Sequence, residues 1–387
     1  MIYLDNHATT PMDPRVLAEM LPWFSQRFGN PSSRGHALGW EAEEAVENAR
    51  AQVAALLSVR PDEIVFTSGA TESNNLALRG ILEASGPGPH HVITAATEHE
   101  AVLAPCRKLS ERGIRVTVLP VSPQGGIDVS ELASAITPTT RLVSIMAANN
   151  EIGTLQPLDT IGRLCRERNV LFHSDVAQAA GKVPLDLQAA GTDLASVSGH
   201  KLYGPKGTGA LFVRSGVTLE PLVEGGGQEN GLRSGTLNVP GIVGLGKACE
   251  LAMLELQGAA ANGTVPLRDL RDRLWERLTA RLPRIHLNGA ADGRLPGNLN
   301  VSFDCIKAES LLMALDGKVA ISTGSACAST GGKPSHVLAA LGLSSERIDG
   351  AVRIGLGRFN TPEEIDRAAT LLCEAVEHLR SLSPNWE

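Results

Sequence analysis

Residues 193–207 read Asp-Leu-Ala-Ser-Val-Ser-Gly-His-Lys-Leu-Tyr-Gly-Pro-Lys-Gly. The first six residues have the composition of a strand, and Lys201 stands just beyond them. Asp175 ends an earlier run of the same kind. A lysine and an acid at two strand ends are the groups that a Schiff-base site requires, because the amine bonds to a carbonyl carbon while the acid holds a proton on the bound ring. Taken alone, Lys201 would more often be a solvated surface lysine.

Short β-branched runs alternate with helix-like stretches from about residue 60 to 215, which predicts an α/β domain around a largely parallel sheet. The predicted strands are Ile64 to Thr67, Val92 to Ala95, Val116 to Val121, Leu142 to Ala147, Val170 to His173, Leu194 to Ser198 and Ala210 to Arg214. In open α/β sheets the ligand lies beyond the carboxyl ends of the strands. Polar segments follow five of these runs, so we expect a ligand site at that edge.

The residues at that edge suit pyridoxal phosphate. Lys201 supplies the amine and Asp175 the acid beside the pyridine nitrogen, which makes the ring an electron sink. The phosphate needs backbone amides and hydroxyls, and a helix that begins after a glycine turn supplies both. Ala70 and Thr71 open such a helix, although Thr71 also fits an ordinary helix cap, and Ser198 and His200 flank the lysine.

Composition excludes several other classes of protein. The chain has 387 residues, 43% hydrophobic and 20% charged, which allows a large core and more than one domain. A net charge of −7 without a basic stripe, and few aromatic residues, argue against a nucleic-acid partner. No apolar run approaches the roughly 18 to 20 residues of a membrane span, and no secretory signal is visible. We expect a cytoplasmic protein without a membrane partner.

The six cysteines do not form a metal-binding pattern. They stand at positions 106, 165, 249, 305, 327 and 373, without a C-x-x-C pair, so no metal site held by this chain alone is expected. Further along, residues 257–266 are the best linker candidate, and Thr361-Pro-Glu-Glu364 is a helix start with a capping box. Asp13-Pro14 likewise predicts a helix running towards Phe24.

The ordered motifs of the chain resemble those of a known family. They are Tyr3 to Pro11, Phe28 to Ser32, Thr67-Ser-Gly-Ala-Thr-Glu-Ser-Asn74, Thr97-Glu-His99, Asn149 to Gly153, His200 to Gly207, Arg233-Ser-Gly-Thr236 and Gly324-Ser-Ala-Cys-Ala-Ser329. With these motifs the chain is similar to cysteine desulfurases of the NifS/IscS type, in the class V aminotransferase group of fold type I enzymes. The resemblance implies a large domain with a mostly parallel seven-stranded sheet and a smaller α+β C-terminal domain.

The resemblance also implies a division of the chain and a role for each site residue. Residues 1–15 would pack with the small domain, 16–257 would form the large cofactor-binding domain and 258–387 the small one. The implied roles are the Schiff base for Lys201, the pyridinium partner for Asp175, the phenolic-oxygen contact for Gln178, ring stacking and proton transfer for His99, and phosphate binding for Ala70, Thr71, Ser198 and His200. Thr236 would reach the phosphate from the other subunit, which implies a homodimer with shared active sites.

For the substrate, the resemblance implies that Asn150 lies near the cofactor and that Arg353 binds the carboxylate of L-cysteine. A planar guanidinium suits a bidentate carboxylate contact. Without the resemblance, Arg353 fits a surface ion pair equally well.

Cys327 stands in Ser322-Thr-Gly-Ser-Ala-Cys-Ala-Ser-Thr-Gly-Gly-Lys-Pro334, a stretch of small residues that predicts an exposed loop. A loop of this composition makes Cys327 a poor core residue, although most cysteines are structural. By resemblance, Cys327 takes sulfur from L-cysteine as a persulfide and L-alanine is released. The sulfur would supply iron-sulfur cluster assembly or another acceptor protein, and Cys327 would transiently ligate a cluster shared with a scaffold.

Three alternatives stay open at this point. A transaminase or a selenocysteine lyase would have the same fold, and a transaminase has no need of Cys327. A non-catalytic protein that delivers or senses sulfur would keep the fold without the chemistry. The end of the chain, Ser381 to Glu387, is shorter than the tail with which related enzymes dock a cluster scaffold, so scaffold binding is less expected than desulfuration.

Overall fold

A computed structural model describes residues 1–258, 265–323, 334–384 and 386. Its strands are β1 Ile2–Tyr3, β2 Ile64–Thr67, β3 His91–Ala95, β4 Arg115–Leu119, β5 Thr140–Ser144, β6 Leu171–Asp175, β7 Leu194–Ser198, β8 Gly209–Val213, β9 Ile285–Leu287, β10 Asn298–Phe303, β11 Val319–Ala320, β12 Ser322–Thr323 and β13 Ala351–Gly355. Its helices are α1 Pro14–Met20, α2 Pro22–Ser25, α3 Ala37–Leu57, α4 Ala70–Ala84, α5 Glu100–Glu111, α6 Val129–Ala135, α7 Leu158–Glu167, α8 Val239–Leu256, α9 Leu267–Arg281, α10 Ala308–Ala314, α11 His336–Ala340, α12 Ser345–Asp349 and α13 Pro362–Ser381.

The largest sheet has seven strands in the order β2-β8-β7-β6-β5-β3-β4. The pairs from β7 through β6, β5 and β3 to β4 are parallel, whereas β8 runs antiparallel to both of its neighbours. Apolar side chains cover both faces of this sheet, as a mostly parallel sheet requires. Its seven strands are those predicted from the sequence, with ends displaced by up to three residues, so the predicted α/β class is confirmed.

A second sheet of four antiparallel strands has the order β12-β13-β10-β9. The helices α9 and α13 pack on it, and their apolar side chains form a separate core. The strand β1 pairs in parallel with β11, and Ile2 and Leu4 are buried in that same core. The first residues of the chain therefore pack with the last third of it.

The two predicted helix starts are present. Thr361 caps α13, with its hydroxyl accepting from the Glu364 N–H in a capping box. Asp13 caps α1, but the single helix predicted as far as Phe24 is divided after Met20, because Pro22 has no N–H to continue the ladder and begins α2 instead. Most of the predicted linker lies outside the described residues. In the described part of the chain, no helix has the length and apolarity needed to cross a bilayer.

Candidate active site

A cavity of about 450 Å³ opens at the carboxyl edge of the seven-stranded sheet. Its size is typical of sites for small ligands. Six residues that the sequence singled out lie in its wall, namely Ala70, Thr71, His99, Ser198, His200 and Lys201. They come from the ends of β2, β3 and β7, so parallel strands bring together segments that are far apart in the chain.

Lys201 lies in a short 3-10 turn directly after β7. Its Nζ donates to the main-chain oxygens of His7 at 2.6 Å and of Ala8 at 2.7 Å. Both carbonyls belong to the segment between β1 and α1. That segment therefore forms one side of the site and holds the amine in place.

Asp175 is the last residue of β6, the parallel neighbour of β7, and its carboxylate is buried. One oxygen accepts from the Asn74 side-chain amide at 2.8 Å, and the other accepts from the Ala177 N–H at 3.0 Å. Both oxygens of this carboxylate are thus held by hydrogen bonds. Asp175 is not among the residues that line the cavity, and its bond to Asn74 connects it to α4.

The amino terminus of α4 has the features of an anion site. Gly69 precedes the helix with φ of +147°, a conformation that residues with a Cβ rarely adopt, and the unpaired N–H groups of the first turn follow it. Ser198 and His200 line the same cavity as this helix end. Burial, with the charges of Lys201, Lys206 and Lys182, lowers the pKa of His200 to about 4, so its imidazole is neutral at pH 7.

His99 caps α5, and its Nδ1 accepts from the Ala101 N–H at 3.0 Å. In the neutral ring the proton therefore lies on Nε2. The preceding residue, Glu98, is completely buried, and one of its oxygens accepts from the Met146 N–H at 2.8 Å. Burial raises the pKa of Glu98 well above its usual range.

A polar cluster formed by His7, Gln178, Lys182 and Lys201 lies beside the cavity. Gln178 Nε2 donates to the His7 main-chain oxygen at 2.9 Å, the same oxygen that accepts from Lys201. The Gln178 side-chain oxygen lies 3.1 Å from His7 Nδ1 and accepts from Lys182 Nζ at 2.9 Å. The sequence indicated Gln178 and Lys201 but neither His7 nor Lys182.

Arg353 and Asn150, the two predicted substrate residues, lie in contact. Arg353 is completely buried on β13, and its Nη1 donates to the Asn150 main-chain oxygen at 3.3 Å. Its Nη2 donates to Asp5 Oδ1 at 3.0 Å, and Ser322 donates to the same oxygen at 2.9 Å. Among the described residues, Arg353 Nε has no acceptor. The guanidinium is thus an incompletely satisfied cation rather than a surface ion pair.

Thr236 is exposed and is not part of the wall of its own chain's cavity. The segment before it is fixed at two points. Glu229 accepts from both terminal nitrogens of Arg50 and from the Phe66 N–H, and Arg233 donates to Glu72 at 2.9 Å. These contacts fix the segment before Thr236 to α3, β2 and α4.

Cys327 lies outside the described residues, and so do its neighbours from 324 to 333. Of the described cysteines only Cys305 is not buried. Burial raises the pKa of Cys106, Cys165 and Cys249 to about 12 and that of Cys373 to about 11, so their thiols are unreactive at neutral pH. Within the ranges that the structure describes, no three His, Cys, Asp or Glu side chains gather as metal ligands.

Fold and site together define an α/β enzyme with a lysine amine and the amino terminus of a helix in one cavity. The chain belongs to the aminotransferase class-V family, whose model matches residues 2–368, and within that family to the NifS/IscS-type cysteine desulfurases. The family inferred from the sequence motifs is thereby confirmed.

Individual relatives match over nearly their whole length. The chain is 50% identical over 388 residues to the cysteine desulfurase IscS of Rickettsia bellii, with 100% of this chain and 93% of that protein covered. A solved NifS-like protein is 40% identical with a TM-score of 0.90, and the match covers 97% of this chain and 99% of that one. The structure of SspA in complex with cysteine is 38% identical with a TM-score of 0.82, over 93% of this chain and 100% of SspA.

Proposed function

We propose that this protein is a pyridoxal phosphate-dependent cysteine desulfurase, which takes sulfur from L-cysteine, releases L-alanine and leaves a persulfide on Cys327. The observation that carries the proposal is the Lys201 amine in the wall of a cavity that also contains the amino terminus of α4. An amine and a phosphate-binding helix end in one cavity are the two attachment points that this cofactor needs.

The residues present fit the cofactor. Gly69, with its φ of +147°, keeps side-chain atoms away from the first N–H groups of α4, and Ser198 and the neutral His200 add polar groups opposite them. Asp175 provides the acid, and Asn74 orients it. When bound, the cofactor supplies a carbonyl carbon for the lysine and a ring that takes up electrons from the substrate's α-carbon.

The chain's own residues hold and move the protons. We assign to Lys201 Nζ the bond to the cofactor and the transfer of the substrate's α-proton. Asp175 keeps a proton on the ring nitrogen because its ionised carboxylate favours the cationic ring. Gln178 donates to the phenolic oxygen, and His99 stacks on the ring and transfers protons through Nε2. Ala70, Thr71, Ser198 and His200 bind the phosphate.

Arg353 binds the carboxylate of L-cysteine, with Asn150 beside it. The guanidinium is completely buried, which strengthens its attraction for an anion, and Asp5 is its charged partner among the described residues. The substrate carboxylate competes with Asp5 or joins it at Arg353. The resemblance to SspA, solved in complex with cysteine, supports this substrate.

Cys327 accepts the sulfur. Its thiolate attacks the sulfur of the substrate, the Cβ–S bond breaks as the new S–S bond forms, and protonation of the carbon gives alanine. Burial makes four of the other cysteines poor thiolates. The fifth, Cys305, lies beyond the end of β10 at Phe303. On that strand Asn300 pairs with Arg353, and Phe303 is about 10 Å further along. We therefore do not assign the acceptor role to Cys305.

We propose a homodimer in which Thr236 binds the phosphate of the other subunit. The exposure of Thr236 and its absence from its own cavity support this. We also propose a division into residues 1–15, 16–257 and 258–387, in which the first segment packs with the last domain, because Ile2 and Leu4 share a core with Leu270 and Leu299.

The persulfide supplies sulfur for iron-sulfur cluster assembly or for another acceptor protein, a proposal that rests on the kinship with IscS. Thiol chemistry of this kind requires a reducing compartment, so we place the enzyme in the cytoplasm.

The decisive experiment measures alanine and sulfide from L-cysteine, with dithiothreitol as reductant, for the parent protein, Cys327→Ser and the matched control Cys305→Ser. All three should show the visible absorbance band of bound pyridoxal phosphate. The parent and Cys305→Ser should release alanine and sulfide in equal amounts, whereas Cys327→Ser should release neither at more than a trace.

Three results would contradict the proposal. Undiminished sulfide release by Cys327→Ser would show that Cys327 is not the sulfur acceptor. A keto acid formed in proportion to an added amino acceptor would indicate a transaminase. Failure of the parent protein to acquire the absorbance band with added pyridoxal phosphate would indicate a non-catalytic protein.

A further inference from the structure

Lys182 is a second amine beside the Lys201 site and has no part in the chemistry described above. It follows the turns after β6, four residues beyond Gln178, and its Nζ donates to the Gln178 side-chain oxygen at 2.9 Å. That oxygen also lies 3.1 Å from His7 Nδ1. Lys182 is therefore connected to the Lys201 site through the side-chain amide of Gln178.

The chemistry of these partners fixes which way the Gln178 amide points. Lys182 Nζ donates to the amide oxygen, and the His7 main-chain oxygen can only accept from the amide nitrogen, so both contacts place the oxygen on the side of Lys182. His7 Nδ1 then carries a proton and donates to the same oxygen. The amide nitrogen then faces the His7 carbonyl and donates to its oxygen at 2.9 Å. Lys201 Nζ donates to the same oxygen. One N–H of this NH2 group is thereby available towards Lys201.

We propose that Lys182 is a positioning residue of the cofactor site: it holds the Gln178 amide with its oxygen turned away from Lys201 and its NH2 group turned towards Lys201. The inference rests on the proposed function, because the contact that Gln178 makes there is with the cofactor. Without Lys182, the amide keeps only the His7 carbonyl as a contact that distinguishes its nitrogen from its oxygen. Rotation by 180°, which would turn a carbonyl oxygen towards the site, then costs less.

The surrounding charges also act on the site. Lys201 follows β7, Arg353 lies on β13 with Asp5 as its partner, and His7 faces Lys182 from the segment after β1. Burial, followed by the charges of Lys201 and Arg353, lowers the pKa of Lys182 to about 7. The effect is mutual, so the charge on Lys182 disfavours a proton on the nitrogen of Lys201. Replacing Lys182 removes its charge and also the contact that turns the Gln178 NH2 group towards the site. Both losses make the nitrogen of Lys201 more basic.

The test uses the holoenzyme and the pH dependence of its visible absorbance band, a readout that does not depend on turnover. Lys182→Met should raise the pKa at which the band changes by about one unit, and pyridoxal phosphate should dissociate severalfold faster. Lys182→Arg retains both charge and donors and should restore the parent values. Lys307→Met, which removes an exposed lysine before α10, serves as the control for the loss of one charge.

A double variant separates positioning from charge alone. In the background of Gln178→Ala, Lys182→Met should produce less than half of its shift, because the amide that it orients is gone. A shift of undiminished size in that background would overturn the positioning role, and so would a Lys182→Met protein that is indistinguishable from the parent. If the parent itself acquires no absorbance band, the proposed function fails, and this inference fails with it.

Discussion

Asn74, in the first turns of α4, donates its side-chain amide to Asp175 at the end of β6 over 2.8 Å. The helix that we propose to bind the phosphate is thus bonded to the carboxylate that we propose to face the ring nitrogen of the same cofactor. Both side chains are buried, and the side-chain oxygen of Asn74 has no partner among the described residues. One hydrogen bond therefore links the two halves of the candidate site.

Asn74→Ala should weaken cofactor binding and lower stability. The substitution leaves one Asp175 oxygen buried without a donor, which costs about 1 to 3 kcal/mol. Urea unfolding of the cofactor-free protein measures the loss of stability, and equilibrium dialysis measures the affinity for pyridoxal phosphate. The matched control is Asn75→Ala, whose amide donates only to the Thr71 carbonyl of its own helix. Equal effects of the two substitutions would contradict a special role for Asn74.

Arg353→Lys should raise the KM for L-cysteine at least about tenfold, with a smaller change in kcat. A lysine keeps the positive charge but cannot form the two parallel hydrogen bonds that a carboxylate accepts from a guanidinium. The absorbance band of the bound cofactor should be unchanged, because Arg353 is not part of the cavity wall around Lys201.

Arg347→Lys is the control for Arg353→Lys. Arg347 donates to Asn288 and to the Leu287 carbonyl on the four-stranded sheet, so its replacement tests the effect of altering a partly buried arginine nearby. If both variants change KM equally, Arg353 acts through the fold rather than through the substrate.

His173 should make the protein sensitive to acid. It is completely buried between Ser144 and Ser196, and burial lowers its pKa from 6.5 to about 4. Between these two values the unfolded chain binds the proton and the folded protein does not, so stability falls as the pH drops from 6.5 towards 4. The contribution of His173 between pH 7 and pH 5 is about 2 kcal/mol.

Urea unfolding at pH 7 and pH 5 measures this contribution. His173→Gln, which retains a hydrogen-bonding side chain, should lose less stability on acidification than the parent, whereas replacement of the exposed His378 by Gln should leave the loss unchanged. An identical loss in His173→Gln and in the parent would show that other groups, such as the buried His7 and the half-buried His200, account for the acid sensitivity.

The sequence sufficed to predict the seven strands and the residues at their carboxyl ends because these depend on local composition and on the general geometry of parallel sheets. His7 and Lys182 escaped prediction for a different reason. The role of His7 arises from its contact with Gln178, 171 residues along the chain, which no local pattern reports. Lys182 is four residues from Gln178, but its relation to the site depends on the same contact between distant segments. Asn74 stood within a recognised motif, but its partner Asp175 could be identified only in the folded chain.

The segment that ends at Thr236 is held by a buried ion pair. Glu229 adopts a left-handed conformation with φ of +49°, and its carboxylate accepts from Arg50 at 2.8 and 2.9 Å and from the Phe66 N–H at 2.7 Å. Such strain persists only where surrounding contacts enforce it. These contacts fix the segment before Thr236, whose own side chain is exposed.

Subunit mixing tests whether Thr236 serves the other subunit's site. Lys201→Ala should be inactive. Thr236→Ala should be strongly impaired because the cofactor phosphate loses a hydrogen-bond donor. In a hybrid dimer of the two variants, the site that retains Lys201 receives an intact Thr236 from its partner and is complete. Random mixing makes about half of the dimers hybrids, and each hybrid has one complete site out of two. Activity should therefore recover to about a quarter of the parent value. If Thr236 instead bound the phosphate of its own chain, every hybrid site would lack Lys201 or Thr236, and mixing would restore nothing.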